Sequence, residues 1–279
     1  MKIAPAHEDL EIRLFLQAVR EAHGYDFGGY AQASLKRRLA QWLAASRFES
    51  LSQAQGALLR DPAVLESLVQ GITVNVTEMF RDPPFFAALR TEVLPYLKTY
   101  PHAKIWHAGC ASGEEAYSLA ILLREAGMAG RYRIYASDIN AAVLETAKAG
   151  IYPLARLKKF TQNYQRGGGQ RPFSDYYTAA YGHAIMAPEL REDVVFVTHN
   201  LAMDADIGEM HMILCRNVMI YFKAPLKERC LRLFDQCLVA GGFLCLGHGE
   251  SLSGTLLAPS YAQLAAPQKI FKKYGARPA

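Results

Sequence analysis

The sequence predicts an α/β fold: a doubly wound, mostly parallel sheet with an antiparallel edge, preceded by a small all-helical domain. Three observations predict it. The first three apolar segments of the chain repeat at helical spacing, with no strand alternation between them. From Ile105 onward, short and nearly continuous apolar runs alternate with helical stretches, as strands buried on both faces require. The first of those runs ends in a turn of small residues that enters a helix directly, IWHAGCASGEEAYSLAILLREAG.

The elements follow in order. In the helical domain, residues 1–72, Ile12, Phe15, Leu16 and Val19 form one inward stripe, Leu35, Leu39, Trp42 and Leu43 a second, and Val64, Leu65, Leu68 and Val69 a third. Residues 73–101 read as a linker and connecting helix. Pro83 and Pro84 suit the helix start, Phe86, Leu89, Val93 and Leu97 its buried face, and Pro101 its end. The third domain, residues 102–279, has strands at KIWHAG, RIYASD, VVFVTHN, MHMILCRN and GGFLCLGH. A helix before the last of these puts Leu226, Cys230, Leu233 and Cys237 on one stripe. A final strand, KIFKKY, pairs antiparallel with its predecessor at one edge. Residues 150–190 break the alternation with a basic cluster, three consecutive glycines and many tyrosines. They are expected to be an insertion, either a small subdomain or a mobile loop.

Composition narrows the function classes. At 51% apolar and 20% charged residues the chain has the make-up of a soluble globular protein. No uncharged apolar run is long enough to cross a bilayer, and acids in MKIAPAHEDLEIRLF interrupt any signal-peptide core. The expected location is the cytoplasm, without direct membrane insertion. The five cysteines show neither a CxxC pair nor metal spacing with histidine, so buried thiols and no metal are expected. A net charge of +5 permits an acidic partner.

The turn after the first strand carries the chemistry. Its glycines, Gly109 and Gly113, are spaced G-x-x-x-G, without the third glycine that a pyrophosphate needs for close backbone approach. Asp138 ends the next strand, where doubly wound folds hold an adenosine ribose. Glu114 and Glu115 would repel a pyrophosphate but suit a cofactor with an ammonium and a sulfonium charge. S-adenosylmethionine fits that description, although the two acids could instead complement the helix dipole.

WHAGCASGEEAYSLAILL, ASDIN, HNLA, ILCRNVMIYF and GHGES occur in this order and resemble the motifs of the CheR-type chemoreceptor glutamate methyltransferases. NVTEMFRDPPFF, residues 75–86, resembles the segment that joins that family's helical and catalytic domains. The resemblance implies a class I S-adenosylmethionine-dependent methyltransferase, with S-adenosyl-L-homocysteine as product. It also implies methyl transfer to glutamate side chains of a protein substrate in adaptation signalling, by a monomer acting on the acidic helical region of a membrane chemoreceptor.

Site residues carry over one at a time. Asn75, Thr77 and Arg81 match linker residues that reach the cofactor, with Arg81 on its carboxylate. Glu115 matches the acid near the amino-acid tail, with Glu114 beside it, and Asp138 the acid on the ribose. Asn200 and Leu201 match the adenine-side pair, Arg216 and Asn217 the residues near the sulfonium, and Tyr221 an aromatic near the acceptor carboxylate. Arg81, Asn217 and Tyr221 form the expected catalytic group. Lys36, Arg37 and Arg38 are expected to present a basic face that steers an acidic helix. Ala116 replaces the family's proline, and Ala111-Ser112-Gly113 its Ser-Thr-Gly turn. In receptor-tethered members the insertion captures a receptor tail by adding a strand, a grip not visible in RPFSDYYTAAYGHAIMAPELRED.

Methyl transfer to a glutamate is an in-line displacement by a carboxylate already ionised near neutral pH, so no general base is needed. His199 and His248 are accordingly expected to make structural hydrogen bonds. Three rivals stand beside this reading. Asp82-Pro83-Pro84-Phe85 spells the DPPF of enzymes that methylate nucleic-acid amino groups, which would make DNA or RNA the partner. A non-catalytic cofactor-sensing module is the second, and an NAD-linked oxidoreductase, lacking its fingerprint, the third.

Overall fold

The computed structural model describes residues 5–275. Four helices build the N-terminal layer: α1 (Pro5–His23), α2 (Gln32–Ala45), α3 (Leu51–Leu58) and α4 (Pro62–Ile72). Phe15, Leu39, Ala54, Leu58 and Leu68 share one core, each helix turning its apolar stripe inward. Apolar spacing predicts three helices here, and α3 is the one it misses. LSQAQGAL has small and polar residues between its two buried leucines, so no period shows. Its start is nonetheless marked, because the Ser50 side chain accepts the Gln53 N–H at 3.2 Å.

The connecting helix is interrupted. It comprises α5 (Pro83–Ala88), a π turn over Leu89–Val93 and α6 (Leu94–Leu97). Pro95 has no N–H to return to the preceding turn and its ring crowds that turn, so the helix widens there.

The large sheet contains β1 (Ala103–Ala108), β2 (Tyr132–Asp138), β6 (Val194–Thr198), β7 (Met210–Cys215), β8 (Leu238–Leu246), β9 (Tyr261–Ala265) and β10 (Ile270–Lys273). Their order is β6-β2-β1-β7-β8-β10-β9, with the first five parallel and β10 antiparallel to both its neighbours. Period-two alternation divides the interior. Ile105, Met212 and Phe243 enter the core beneath α7 (Glu114–Glu125), while Trp106, Ile213 and Leu244 enter the core beneath α11 (Ala224–Cys237). The sequence places only the β8–β10 pair at the edge; β9 lies beyond it. With Tyr261 its one fully buried residue, β9 carries no alternation to read.

Between α8 (Ala141–Ala149) and β6, the chain builds a separate antiparallel sheet of order β3-β5-β4. It consists of β3 (Ile151–Pro153), β4 (Tyr177–Ala180) and β5 (His183–Met186), with α9 (Leu157–Arg166) after β3 and α10 (Pro188–Glu192) returning to β6. The tyrosines of this segment have a structural use. Tyr164 and Tyr176 both donate to Glu125 at the end of α7, which also accepts from the Gln170 N–H and the Arg90 guanidinium. Three of these donors come from the segment between β3 and β4, so one carboxylate fastens the insertion to the large domain.

Candidate active site

A cavity of about 320 Å³ lies between the helical layer and the carboxyl ends of the parallel strands. β1 has β2 on one side and β7 on the other, so the chain order reverses there, the usual crevice for a ligand in an open α/β sheet.

The turn after β1 forms its floor. Gly109 sits at φ +78°, and a Cβ there would stand 2.4 Å from Val218 Cγ2, so only glycine permits this approach. Asp138 closes the turn from β2. Its Oδ2 accepts the Ala111 N–H at 2.9 Å, and its Oδ1 the Asn140 N–H at 3.0 Å. Burial raises the Asp138 carboxyl, a shift that those two backbone donors partly offset. A carboxylate has about four acceptor sites, so Asp138 keeps capacity for two hydroxyls.

The paired glutamates part company. Glu115 faces the cavity and Glu114 does not. Glu115 Oε2 accepts from Arg216 Nη1 at 2.7 Å, and Arg216 Nη2 donates to Asp82 Oδ2 at 2.8 Å. The same guanidinium lies 3.8 Å over the Phe85 ring. Burial pushes the Glu115 carboxyl up, but Arg216, with His107 and Arg81, outweighs it and holds the group below the usual range. Glu115 Oε1 is buried without a hydrogen-bond partner, His107 Nε2 standing 3.4 Å away. Glu114 is fully buried and turned to the insertion, where it meets Arg156 at 2.6 Å and Ser112 Oγ at 2.7 Å. Burial raises its carboxyl. The expectation of Glu114 at the cofactor is corrected. Its work is structural, since Arg156 also donates to the Thr77 carbonyl and thereby ties insertion, turn and linker together.

Asn75, Thr77 and Arg81 line the cavity from the linker, and Asn200 and Leu201 from the loop after β6. Arg81 donates to the Val76 carbonyl at 3.3 Å and has no ion pair among the described residues. Asn200 Oδ1 accepts the Ala202 N–H at 3.0 Å, which shapes its loop. Arg216, Asn217 and Tyr221 line the wall after β7. Asn217 is left-handed at φ +62°.

The basic face on α2 is split. Consecutive helical residues point about 100° apart, so Lys36, Arg37 and Arg38 cannot share one direction. Lys36 pairs with Asp9 on α1, Arg37 is exposed, and Arg38 lines the cavity, donating to the Thr73 carbonyl at 3.3 Å.

Several site residues escape sequence reasoning. Tyr30 lines the cavity from the loop before α2, and burial raises its hydroxyl, with the Asp138 charge adding to the shift. Around it the helical layer is sewn to the site. The Ala31 N–H donates to the Tyr221 carbonyl at 2.7 Å, the Lys223 N–H to the Gly29 carbonyl at 2.7 Å, and the Tyr30 and Phe222 rings lie 5.0 Å apart. Glu250, which lies behind the lining rather than in it, is the second omission, with GHGES its one sequence signal. His199 also lines the cavity and pairs with the Ala205 carbonyl at 3.0 Å. His248 is exposed and makes no side-chain hydrogen bond among the described residues, contrary to expectation.

The donor set fits S-adenosylmethionine. A buried, partnerless Glu115 oxygen suits an ammonium, an ion-pair-free Arg81 a carboxylate, and Asp138 the ribose. Residues 75–263 match the family described as CheR methyltransferase, SAM binding domain, and residues 10–73 its all-alpha domain. The chain is 46% identical to the Pseudomonas putida protein named "Putative methyltransferase Cher3", over 95% of this chain and 97% of that protein. It is 34% identical to chemotaxis protein methyltransferase 2 of Pseudomonas aeruginosa, covering 77% and 76% of the two chains. The chemotaxis protein methyltransferase of Salmonella typhimurium is 31% identical, with 89% and 86% covered. With these matches spanning most of its length, the chain belongs to the CheR methyltransferase family and uses S-adenosylmethionine as its cofactor.

Proposed function

We propose that this protein transfers a methyl group from S-adenosylmethionine to glutamate side chains of a chemotaxis receptor. It would act as a cytoplasmic monomer on an acidic helical region of that receptor. The observation that carries the reading is the basic character of the cavity: Arg38 and Arg81 line it with no ion pair among the described residues. With Arg81 taken by the cofactor carboxylate, Arg38 is left to hold an already ionised acceptor. The names of the Salmonella typhimurium and Pseudomonas aeruginosa relatives, chemotaxis protein methyltransferases, support a chemotaxis protein as the substrate.

The cofactor supplies a methyl group on a positively charged sulfur, open to in-line displacement. The residues of the chain orient and desolvate. Arg81 holds the cofactor carboxylate, Asn217 stands at the sulfonium end, and Tyr221 directs the acceptor carboxylate. Asp138 and Asn200 fix the nucleoside half. No protein nucleophile is needed, and burial pushes the Cys110 thiol well up, which keeps it inert.

Methylation of a nucleic-acid amino group is disfavoured by the fate of the DPPF string. Asp82 is ion-paired to Arg216, Pro83 opens α5, and Phe85 is 1% exposed beneath the Arg216 guanidinium. None of these groups is free to receive a flipped base. No helix of the described residues is long and apolar enough to cross a membrane.

Incubation with methyl-labelled cofactor and membranes bearing chemoreceptors tests the reading. Base-labile label that maps to receptor glutamates is the expected result. Label in DNA, or bound cofactor without any transfer, would overturn it.

A further inference from the structure

We propose that Glu250 is a positioning residue for methyl transfer, holding Asn217 and Tyr221 against the reacting end of the cavity. The inference rests on the reading that this cavity transfers methyl groups, and the observation behind it is independent of that reading.

Glu250 is 6% exposed, in the turn that follows β8. Its carboxylate accepts four backbone N–H groups. Oε2 takes those of Asn217 at 3.1 Å and Gly247 at 2.6 Å, and Oε1 those of Val218 at 3.0 Å and Met219 at 2.7 Å. About four acceptor sites is the full capacity of a carboxylate, so this side chain is committed to the backbone. Three of its donors are consecutive residues of the loop leading from β7 to Tyr221, and the fourth belongs to the loop after β8. Two neighbouring parallel strands therefore have their carboxyl-end loops joined through one buried side chain.

The local backbone shows what the clamp is for. Asn217 is held left-handed, a conformation uncommon for residues with a side chain and one that asparagine adopts more readily than most. A Cβ on Gly247 would stand 2.6 Å from the Asn217 nitrogen and from Glu250 Oε2, so glycine is required for the loops to meet. From this anchored start the chain makes a single 3₁₀ turn, Met219–Tyr221, and presents Asn217 and Tyr221 to the cavity. The far end of the loop is held by the Ala31 N–H on the Tyr221 carbonyl. Glu250 itself is not part of the cavity lining. It acts through the two residues that are.

Acceptor-only chemistry makes the test sharp. Glu250→Gln keeps the shape but turns an NH₂ group towards two backbone donors. We expect Glu250→Gln to bind S-adenosylmethionine with a Kd within about threefold of the parent. Its kcat per cofactor-binding site on an acidic protein substrate should fall at least about tenfold, a loss of roughly 1.4 kcal/mol of transition-state stabilisation. Amide hydrogen exchange at 217–219 should quicken by about the same factor. Glu250→Asp keeps the acceptors on a shorter arm, should recover part of the rate, and serves in its place if Glu250→Gln does not fold. A kcat within twofold of the parent, or cofactor affinity lost in step with kcat, would overturn the proposal. If the parent binds cofactor but methylates no acidic protein, the proposed function fails instead. Amide exchange then judges Glu250 alone, unchanged exchange at 217–219 refuting the clamp and faster exchange supporting it.

Discussion

Glu114 and Glu115 are neighbours on the first turn of α7 and answer different arginines, Glu114 meeting Arg156 at 2.6 Å and Glu115 meeting Arg216 at 2.7 Å. One acid serves the packing of the insertion and the other the cofactor cavity. The division follows from helix geometry, since adjacent side chains diverge by about 100°.

Glu115→Gln and Glu114→Gln should therefore behave differently. The first leaves the buried Arg216 with Asp82 as its remaining partner, and breaking a buried pair typically costs about 3–5 kcal/mol. Cofactor affinity measured by calorimetry should fall at least about tenfold, the equivalent of roughly 1.4 kcal/mol. The second frees an arginine whose side chain is 38% exposed, so water compensates much of the loss. Its cofactor affinity should stay near the parent value while the melting temperature drops. Equal loss of affinity in both variants would contradict the division.

Asp138→Asn should weaken cofactor binding by about 1.5–3 kcal/mol, the range for hydrogen bonds to a charged group, with circular dichroism unchanged. The pH dependence has a definite sign. Burial raises the Asp138 carboxyl, and ribose hydroxyls donate to its ionised form. Affinity should therefore fall as pH drops through a window above the ordinary aspartate range, and the profile of Asp138→Asn should be flatter.

Arg37 and Arg38 should separate steering from binding. Arg37→Glu, on an exposed site, should raise KM for an acidic protein substrate at low salt and leave cofactor affinity alone, with the effect fading as ionic strength rises. Arg38→Glu places an acid in the cavity wall and should reduce cofactor affinity as well. The same response in both would restore a single basic face.

Ala31→Pro tests the seam between the helical layer and the catalytic loop. Ala31 has φ −60°, which proline accepts, and the change removes the N–H that binds the Tyr221 carbonyl. One such bond contributes about 0.5–1.5 kcal/mol, so kcat should fall by a few-fold while the Kd for cofactor changes little. An unchanged kcat would show that the seam has no part in placing Tyr221.

Much of the fold and part of the site were legible because their signals are local. Gly109 answers to a left-handed turn, Asp138 to a strand end, and the continuous apolar runs to strands covered on both faces. Elements without a local signal were missed. In α3 small residues hide the helical period, and β9 buries too little to alternate. The insertion showed composition without periodicity, because Tyr164 and Tyr176 reach Glu125 from two separate segments rather than one stripe.

By itself, then, the sequence determined the cofactor turn, the acid that ends β2 and the string CRNVMIY after β7, each a run of neighbours whose chemistry is complete within the run. Tertiary structure alone decided which glutamate faces the cavity, how Lys36, Arg37 and Arg38 divide, why Tyr30 belongs to the site and what Glu250 holds. Those four outcomes depend on partners distant in the chain, Arg216 for Glu115, Thr73 for Arg38, Phe222 for Tyr30 and Asn217 for Glu250, which only packing brings within bonding distance.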